Sequence, residues 1–557
     1  MSLRTSVAAI TLLTSLMLAG VSACGGGGGM TLGGSGSSGS GFGGGSSGAG
    51  GSGGSGSGSS GTYTVGVFQP ESTFAAKCAA PRSGTDPITH TAYPDVAGTS
   101  TDENNWLRSW TNDLYLWYSE APDLNPSLYD TVDYFPLLKT TATTASGALK
   151  DKFHFTYPTS VWESLSQTNT DIGYGVQFEF VQSTPPRKIV VAFTEPSSAA
   201  SQPPANLARG ATILAIDGTD INANDTAGVN KLNAGLTPAT AGESHTFQIE
   251  DVGSTTPRTV TLVSANVTSK SVLDVKTIPT AGGMVGYLVF NNHLAQAETE
   301  LVAAITTLKA ASITDLVLDM RYNGGGYLDI ASELAYMIAD TNMSAGQTFE
   351  LVQFNSKHPT TDPVTGDAIV ATTFHSTALG LTVTKGQALP NLGLQRVFVL
   401  TTAATCSASE AVINGLQGVG VQVVQIGTTT CGKPYGFYPA DNCGTTYFSI
   451  QFRGVNARNF GDYTDGFTPS SGMNTSSGTS ATLPGCGVSD DFTHALGDQN
   501  ESLLFVALSY RTTQACSVPP AGLAPGMSLK QAARGAAEGT LIRSPMREIR
   551  ILRSPAS

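Results

Sequence analysis

The 557-residue sequence predicts an α/β fold with a smaller β-rich domain and a helical N-terminal region. After residue 282, apolar runs typical of buried strands alternate with helical periodicity. "ITDLVLDM" precedes "YLDIASELAYMIA", and "RVFVLTT" precedes "SASEAVINGLQ". Such alternation is typical of parallel strands with helices on the faces of the sheet. Residues 167–270 instead contain short apolar runs such as "KIVVAFT" and "SHTFQIED", which predict β-strands.

The first residues predict export. Arg4 and the apolar stretch 7–20 form a signal peptide pattern that is too short to span a membrane. The stretch ends in "VSAC", which resembles the lipobox of bacterial lipoproteins, so we expect lipidation of Cys24; an ordinary signal peptide is the alternative. Residues 25–61 are almost entirely Gly and Ser, typical of a flexible tether. The glycine after Cys24 favours, by that resemblance, the outer membrane of the cell envelope.

Composition limits the partners of the chain. A net charge of −13 argues against nucleic acid or an anionic lipid surface, so the membrane contact we expect is the lipid anchor alone. An even number of cysteines follows Cys24, which predicts disulfides in an exported protein but leaves their pairing open. Their spacing does not match C-x-x-C metal sites, so no metal is expected. The six are Cys78, Cys406, Cys431, Cys443, Cys486 and Cys516.

The N-terminal region contains an amphipathic helix with an aromatic face. In "ENNWLRSWTNDLYLWYSEAP" large apolar residues recur at steps of three and four, a pattern that predicts a helix packed against the core. These residues are Trp106, Leu107, Trp110, Leu114 and Trp117.

The β-rich segment resembles a PDZ domain in "IGYGVQFEF", "VAFTEPSSAA" and "LARGATILAIDGTDI". In that family a glycine-rich turn presents N–H groups to a peptide's terminal carboxylate, and the next strand takes the peptide as an added strand. Glycine permits the turn in which successive N–H groups converge on one anion. The alternative is a small β-domain without a ligand. The residues that match the turn are Gly173, Tyr174, Gly175 and Val176.

Three features follow strands of the predicted parallel sheet: the glycine-rich "RYNGGG", Ser407, and Lys433 in "IGTTTCGKPYG". Ligand sites in such sheets gather at the carboxyl ends of strands, so we expect the three to meet. The lysine segment comes within one residue of the nucleotide-binding pattern G-x-x-x-x-G-K-[ST]. Pro434 supplies neither the hydroxyl nor the N–H which that pattern needs, so nucleotide binding is not expected.

These residue types suit nucleophilic catalysis. A serine hydroxyl needs a base, and no serine–histidine signature is present, but a lysine can act if burial lowers its pKa. Ser407 is predicted as the first residue of a helix, so the N–H of Ala408 can point at a developing oxyanion. Structural alternatives exist for each feature. "SASE" is also a helix-capping box, "NGGG" could be only a turn, and Lys433 could be a surface charge.

In combination, "LVLDMRYNGGG", "SASE" and "TTTCGKPYG" resemble the carboxy-terminal processing, or tail-specific, serine proteases. The resemblance spans roughly residues 106–507 and implies a crotonase-like core that hydrolyses peptide bonds without a cofactor. It implies that Ser407 is the nucleophile and Lys433 the general base. It also implies an oxyanion hole and supporting residues. The oxyanion-hole candidates are Ala408, Gly324 and Gly325, and the supporting residues are Gly326, Glu410 and Thr430.

The chain departs from that family at two places. Gly418 stands where some members carry an aspartate, so a charge that orients the lysine is absent or comes from Glu410. Cys406 and Cys431 closely flank Ser407 and Lys433. A disulfide there could brace the pair. A cysteine nucleophile is less favoured because a thiolate needs a cationic partner arranged for it.

The sequence thus predicts a serine endopeptidase that acts on proteins or peptides with free C-termini. The alternative is a catalytically inactive binding protein on the same scaffold. The predicted segments are a signal peptide (1–23), lipidated cysteine and tether (24–61), mostly helical region (62–166), PDZ-like domain (167–270), protease core (271–512) and C-terminal tail (513–557).

Overall fold

The structure is a computed structural model that describes residues 63–472, 475–519 and 549–551. The predicted signal peptide, Cys24 and the tether lie outside the described residues. Within the described ranges, no helix combines the length and the apolar character needed to cross a membrane.

The N-terminal region is less helical than predicted, because turns and short strands fill most of it. Prolines such as Pro122, Pro126 and Pro136 interrupt the chain. The predicted aromatic helix is present but ends at Leu114, since the N–H of Leu116 donates to Ile450 O instead of continuing the helix. The elements are β1 (Lys77–Cys78), β2 (Val96–Ala97), α1 (Ser100–Leu114), α2 (Thr131–Tyr134), β3 (Phe155–Pro158) and α3 (Thr159–Thr168).

The PDZ-like segment forms its own antiparallel sheet and apolar core. The strand that follows the glycine turn, β5, lies at one edge of the sheet order β10-β9-β7-β6-β5, so its outer edge is available to an added strand. The elements are β4 (Thr170–Gly173), β5 (Val176–Gln182), β6 (Lys188–Thr194), β7 (Thr212–Ile216), β8 (Thr219–Asp220), α4 (Thr226–Leu236), β9 (Ser244–Glu250), β10 (Arg258–Val263) and β11 (Ala265–Thr268).

The remaining residues form the predicted strand–helix array. The first part contains β12 (Val272–Thr280), β13 (Gly283–Phe290), α5 (Ala297–Ala310), β14 (Asp315–Asp319), β15 (Gly325–Tyr327), α6 (Leu328–Ile338), α7 (Thr341–Ser344), β16 (Thr348–Gln353) and β17 (Thr372–Thr373). The second part contains β18 (Arg396–Thr401), α8 (Ala408–Gly418), β19 (Gln422–Gly427), β20 (Tyr435–Gly436), β21 (Ala440–Asn442), β22 (Thr445–Phe448), β23 (Phe452–Val455), β24 (Thr468–Ser470), β25 (Thr482–Gly487) and α9 (Ser502–Thr513).

The central sheet has the order β12-β13-β14-β18-β19-β25-β24, and all of its pairs from β13 onward are parallel. One apolar cluster joins this sheet to α5, α6 and α8, and a second joins it to α9. Helices therefore cover both faces, as the strand–helix alternation predicts. The α/β prediction is confirmed.

Two further features join distant parts of the chain. Disulfides link all six cysteines that follow Cys24: Cys78–Cys443, Cys406–Cys431 and Cys486–Cys516. The last described strand, β26 (Ile549–Ile551), pairs in parallel with β15.

Candidate active site

Ser407 lies in the turn between β18 and α8. Its backbone has φ +62° and ψ −112°, a conformation that a non-glycine residue adopts only under strain. The side chain is fully buried, and among the described residues its Oγ has no hydrogen-bond partner. Because α8 begins at Ala408, Ser407 stands just before the helix and not as its first residue. Ser407 and Glu410 stand in the positions of a capping box, and the Ser407 N–H donates to Glu410 at 2.9 Å, but Oγ itself makes no hydrogen bond to a described residue.

The oxyanion-hole candidates differ in whether their backbone N–H groups are already hydrogen-bonded. Ala408 is the first residue of α8, and the described part of the chain offers its N–H no hydrogen-bond acceptor. The N–H of Gly325 donates to Asn323 Oδ1 at 3.0 Å, so it is already bonded. The N–H of Gly324 has no such bond to any described residue. The geometry therefore favours Ala408 and Gly324.

Glu410 connects the serine turn to the lysine segment. Its carboxylate accepts hydrogen bonds from the backbone N–H groups of Ser407 (2.9 Å), Gly432 (2.9 Å) and Lys433 (2.8 Å), and from Thr430 Oγ1 (2.5 Å). Burial raises the pKa of Glu410, and these donated bonds oppose the rise. The Glu410 carboxylate binds the backbone N–H of Lys433, so this contact fixes the position of the lysine backbone.

The Lys433 side chain lies in an aromatic pocket and is fully buried. Its Nζ is 4.7 Å from the ring centroid of Phe153 and 4.6 Å from that of Phe437. Burial disfavours a charged amine, whereas the ring faces attract an ammonium ion. No hydrogen bond joins Nζ to Ser407 Oγ in this structure.

The Cys406–Cys431 disulfide holds the same two segments together from the other side. It joins the residue before Ser407 to the residue two positions before Lys433. The two sulfurs and Glu410 are close enough to surround a metal ion. Bonded sulfurs offer no thiolate, however, so the oxidised site does not suit a metal. The disulfide also leaves neither cysteine free to act as a nucleophile.

A cavity of about 510 Å³ connects the core to the PDZ-like segment. Gly324 and Gly325 line it, together with the predicted peptide-binding turn, residues 173–176. In this turn Gly175 has φ +72°, and an added Cβ would lie 2.1 Å from the Cβ of Ser198, so the close approach requires glycine. The structure thus brings the predicted peptide-binding turn and the glycine loop to one cavity.

The sequence motifs do not predict several residues that lie at the site. Phe153 belongs to the N-terminal region yet contacts Lys433. Asn323 binds Gly325 and also contacts Nδ1 of His293 at 3.0 Å. Burial lowers the pKa of His293 to about 3. Asn323 belongs to the motif "RYNGGG", whereas Phe153 and His293 are far from the motifs along the chain.

Comparison with known proteins identifies the core. Residues 284–437 match the family model of peptidase family S41. The chain carries a peptidase family S41 domain. The match includes Ser407, Lys433 and the glycine loop.

The chain is also similar to individual proteins. It is 27% identical over 227 residues to a carboxyl-terminal-processing protease of Picosynechococcus sp., a match that covers 40% of this chain and 45% of the relative. The chain thus spans less than half the length of that curated relative. A putative S41 protease structure from Bacteroides fragilis has a TM-score of 0.54 at 24% identity and covers 75% of this chain and 97% of that one. This likeness shows that the fold is that of S41 proteases. The photosystem II D1 C-terminal processing protease gives a TM-score of 0.40 at 18% identity, with 67% and 92% covered.

Proposed function

We propose that the chain is a serine endopeptidase of the tail-specific type, with Ser407 as nucleophile and Lys433 as general base. The observation that carries the proposal is the strained, buried Ser407. Its unused Oγ stands at the start of α8, and Glu410 ties it to the lysine segment. Strain of this kind is maintained where a structure needs it for function.

The reaction follows from these positions. Neutral Lys433 accepts the Ser407 Oγ proton as Oγ attacks the peptide carbonyl carbon, and Ala408 and Gly324 N–H groups stabilise the oxyanion. The C–N bond then breaks, and the amine leaves with the proton from Lys433. Water hydrolyses the acyl ester by the same route. Since Ser407 Oγ and Lys433 Nζ are not hydrogen-bonded here, their contact forms when the substrate binds.

Substrate selection falls to the PDZ-like segment in this proposal. The turn at residues 173–176 holds a free carboxylate, and β5 pairs with the peptide before it. The shared cavity supports this role because it places the turn within one cleft of the glycine loop. The preferred substrates are then unfolded proteins or peptides with free C-termini.

Location in the cell envelope belongs to the same proposal. The disulfides suit an oxidising compartment, and the "VSAC" motif supplies a lipid anchor at Cys24. Radiolabelled palmitate should enter the wild type and not the Cys24→Ala variant; equal labelling would rule out the anchor.

Hydrolysis of unfolded casein tests the catalytic proposal. The wild type should cleave it, and Ser407→Ala should not, while the variant keeps its affinity for C-terminal peptides because the peptide-binding turn is separate. Ser83→Ala, on an exposed loop, is the matched control and should retain activity. An inactive wild type that still binds peptides would favour the binding-protein alternative.

A further inference from the structure

A segment from the end of the chain lies beside the catalytic residues. The strand β26 (Ile549–Ile551) pairs in parallel with β15, with Gly325 opposite Ile549 and Gly326 opposite Arg550. It also lies next to β20, which follows Lys433, and next to α8, which follows Ser407. The segment therefore lies beside the glycine loop and near the elements that follow Ser407 and Lys433.

The edge of β15 that β26 uses is the one open to a peptide. The other edge is filled by His293, whose N–H donates to Gly325 O at 2.9 Å and whose carbonyl accepts from Tyr327 N–H at 2.8 Å. The contact is tight, because a Cβ on Gly326 would lie 2.5 Å from the His293 carbonyl oxygen. An extended peptide can add to the open edge with backbone hydrogen bonds, as substrates of strand-addition sites do.

Charge favours this segment as the occupant. Residues 541–557 contain four arginines and one glutamate, so the rest of the chain carries a net charge of −16. Opposite net charge raises the local concentration of a tethered basic segment at the acidic body. The attachment itself makes the binding intramolecular, so even a weak contact is populated.

We propose that the segment around Ile549–Ile551 is a substrate of the chain's own active site, so that the enzyme removes its C-terminal extension in cis. The inference rests on the proposed protease function. Ser407 Oγ attacks a carbonyl carbon of the segment, the C–N bond breaks, and the released peptide leaves with a new amino terminus. Water then hydrolyses the ester, which leaves a shortened enzyme with a free carboxylate and an open β15 edge.

Intact-mass measurement of the full chain over time is the first test. The wild type should lose a C-terminal peptide by a cut within a few residues of 549–551, with a first-order rate that does not depend on enzyme concentration. Ser407→Ala should stay intact. A wild type that cleaves casein but keeps its C-terminus overturns self-processing alone, and a rate proportional to concentration overturns the contact in cis. A wild type that does neither reaction overturns the proposed function as well.

Hydrogen exchange tests the docking without catalysis. In the Ser407→Ala chain, Ile551→Pro removes the backbone N–H that faces Gly326 in this register and prevents regular pairing with β15. The amide of Gly326 should then exchange at least tenfold faster, whereas the amide of Tyr327, which donates to His293, should not. Gln531→Pro is the matched control from the same tail and should leave the exchange of Gly326 unchanged. Equal exchange of Gly326 in the Ile551→Pro and parent chains would show that the segment does not pair with β15.

Discussion

Arg321 and Lys433 are both buried basic residues that follow strands of the same sheet, and their surroundings differ. Arg321 donates to Asp319, Asp490 and Glu501 at 2.6 to 3.0 Å. Burial alone would lower the pKa of Arg321, but these carboxylates outweigh it and raise the pKa well above its usual value. Lys433 Nζ lies against the rings of Phe153 and Phe437.

The surroundings of Arg321 suit a structural role, and those of Lys433 suit the proposed role of general base. Carboxylates keep the Arg321 guanidinium charged, and Arg209 of the PDZ-like segment joins the same cluster through Asp490 at 2.7 Å. That cluster holds the PDZ-like segment to the core. Burial disfavours a charged amine, and the neutral amine is the form that a general base needs.

Substitution of Lys433 gives the largest expected effect. Lys433→Arg and Lys433→Ala should both lower kcat/KM on casein by about 10⁴-fold or more, because a guanidinium keeps its charge and accepts no proton. Wild-type activity should rise with pH as Lys433 loses its proton. The control is Lys309→Arg at an exposed end of α5. Substantial turnover by Lys433→Arg would contradict the base role.

The sequence predicted some features of the Ser407 and Lys433 site and not others. The helix α8 and its preceding strand follow from local periodicity, which places Ser407 correctly to within one residue. The strain at Ser407 and the bridge made by Glu410 depend on segments more than twenty residues apart. Phe153 approaches Lys433 from another region altogether, and the six cysteines allowed several pairings. Local patterns carry no information on such tertiary contacts, so only the structure could supply them.

The pH dependence of stability tests whether burial near the glycine loop keeps the His293 imidazole uncharged. Its pKa is about 3 in the fold and about 6.5 when exposed, so the unfolded chain binds the proton first as pH falls. This difference does not lower the free energy of unfolding above about pH 6.5. As the pH falls from about 6.5 to about 3, it lowers the free energy of unfolding by at most about 5 kcal/mol. His293→Asn keeps a donor for Asn323 and should lack this loss.

The measurement is the free energy of unfolding by urea at several pH values. The difference between the wild type and His293→Asn isolates this histidine from the carboxylates that titrate in the same range. His90→Asn, at an exposed position, should follow the wild type. Parallel curves for His293→Asn and the wild type would show that burial here does not exclude the proton.

Arg321 should behave as a structural cation. Arg321→Met leaves buried carboxylates without their cation and should lower the free energy of unfolding by about 3–5 kcal/mol. Arg453→Met removes an exposed arginine on β23 and should change it by less than about 1 kcal/mol. Urea midpoints that coincide for both variants would mean that the Arg321 cluster does not stabilise the fold.

Two disulfides of similar loop length provide a matched pair. Cys406–Cys431 closes 25 residues and Cys486–Cys516 closes 30. Loop entropy predicts a stability loss of about 3–4 kcal/mol for either double alanine variant. Only Cys406→Ala/Cys431→Ala should also lose activity in conditions where both variants remain folded. Equal activity in the two variants would show that the bond beside Ser407 does not brace the catalytic pair.

The smallest expected effect concerns the peptide turn of the PDZ-like segment. A free C-terminal carboxylate should bind there about ten- to a hundredfold more tightly than the amidated peptide, since charge-assisted hydrogen bonds contribute about 1.5–3 kcal/mol. Gly175→Ala should remove this preference, because its Cβ would meet Ser198 and its φ is +72°. Gly173→Ala is the matched control in the same turn, as nothing lies within 4 Å of its added Cβ. Calorimetry with Ser407→Ala avoids hydrolysis of the peptide. Equal affinity for acid and amide peptides would mean that the turn does not bind the carboxylate.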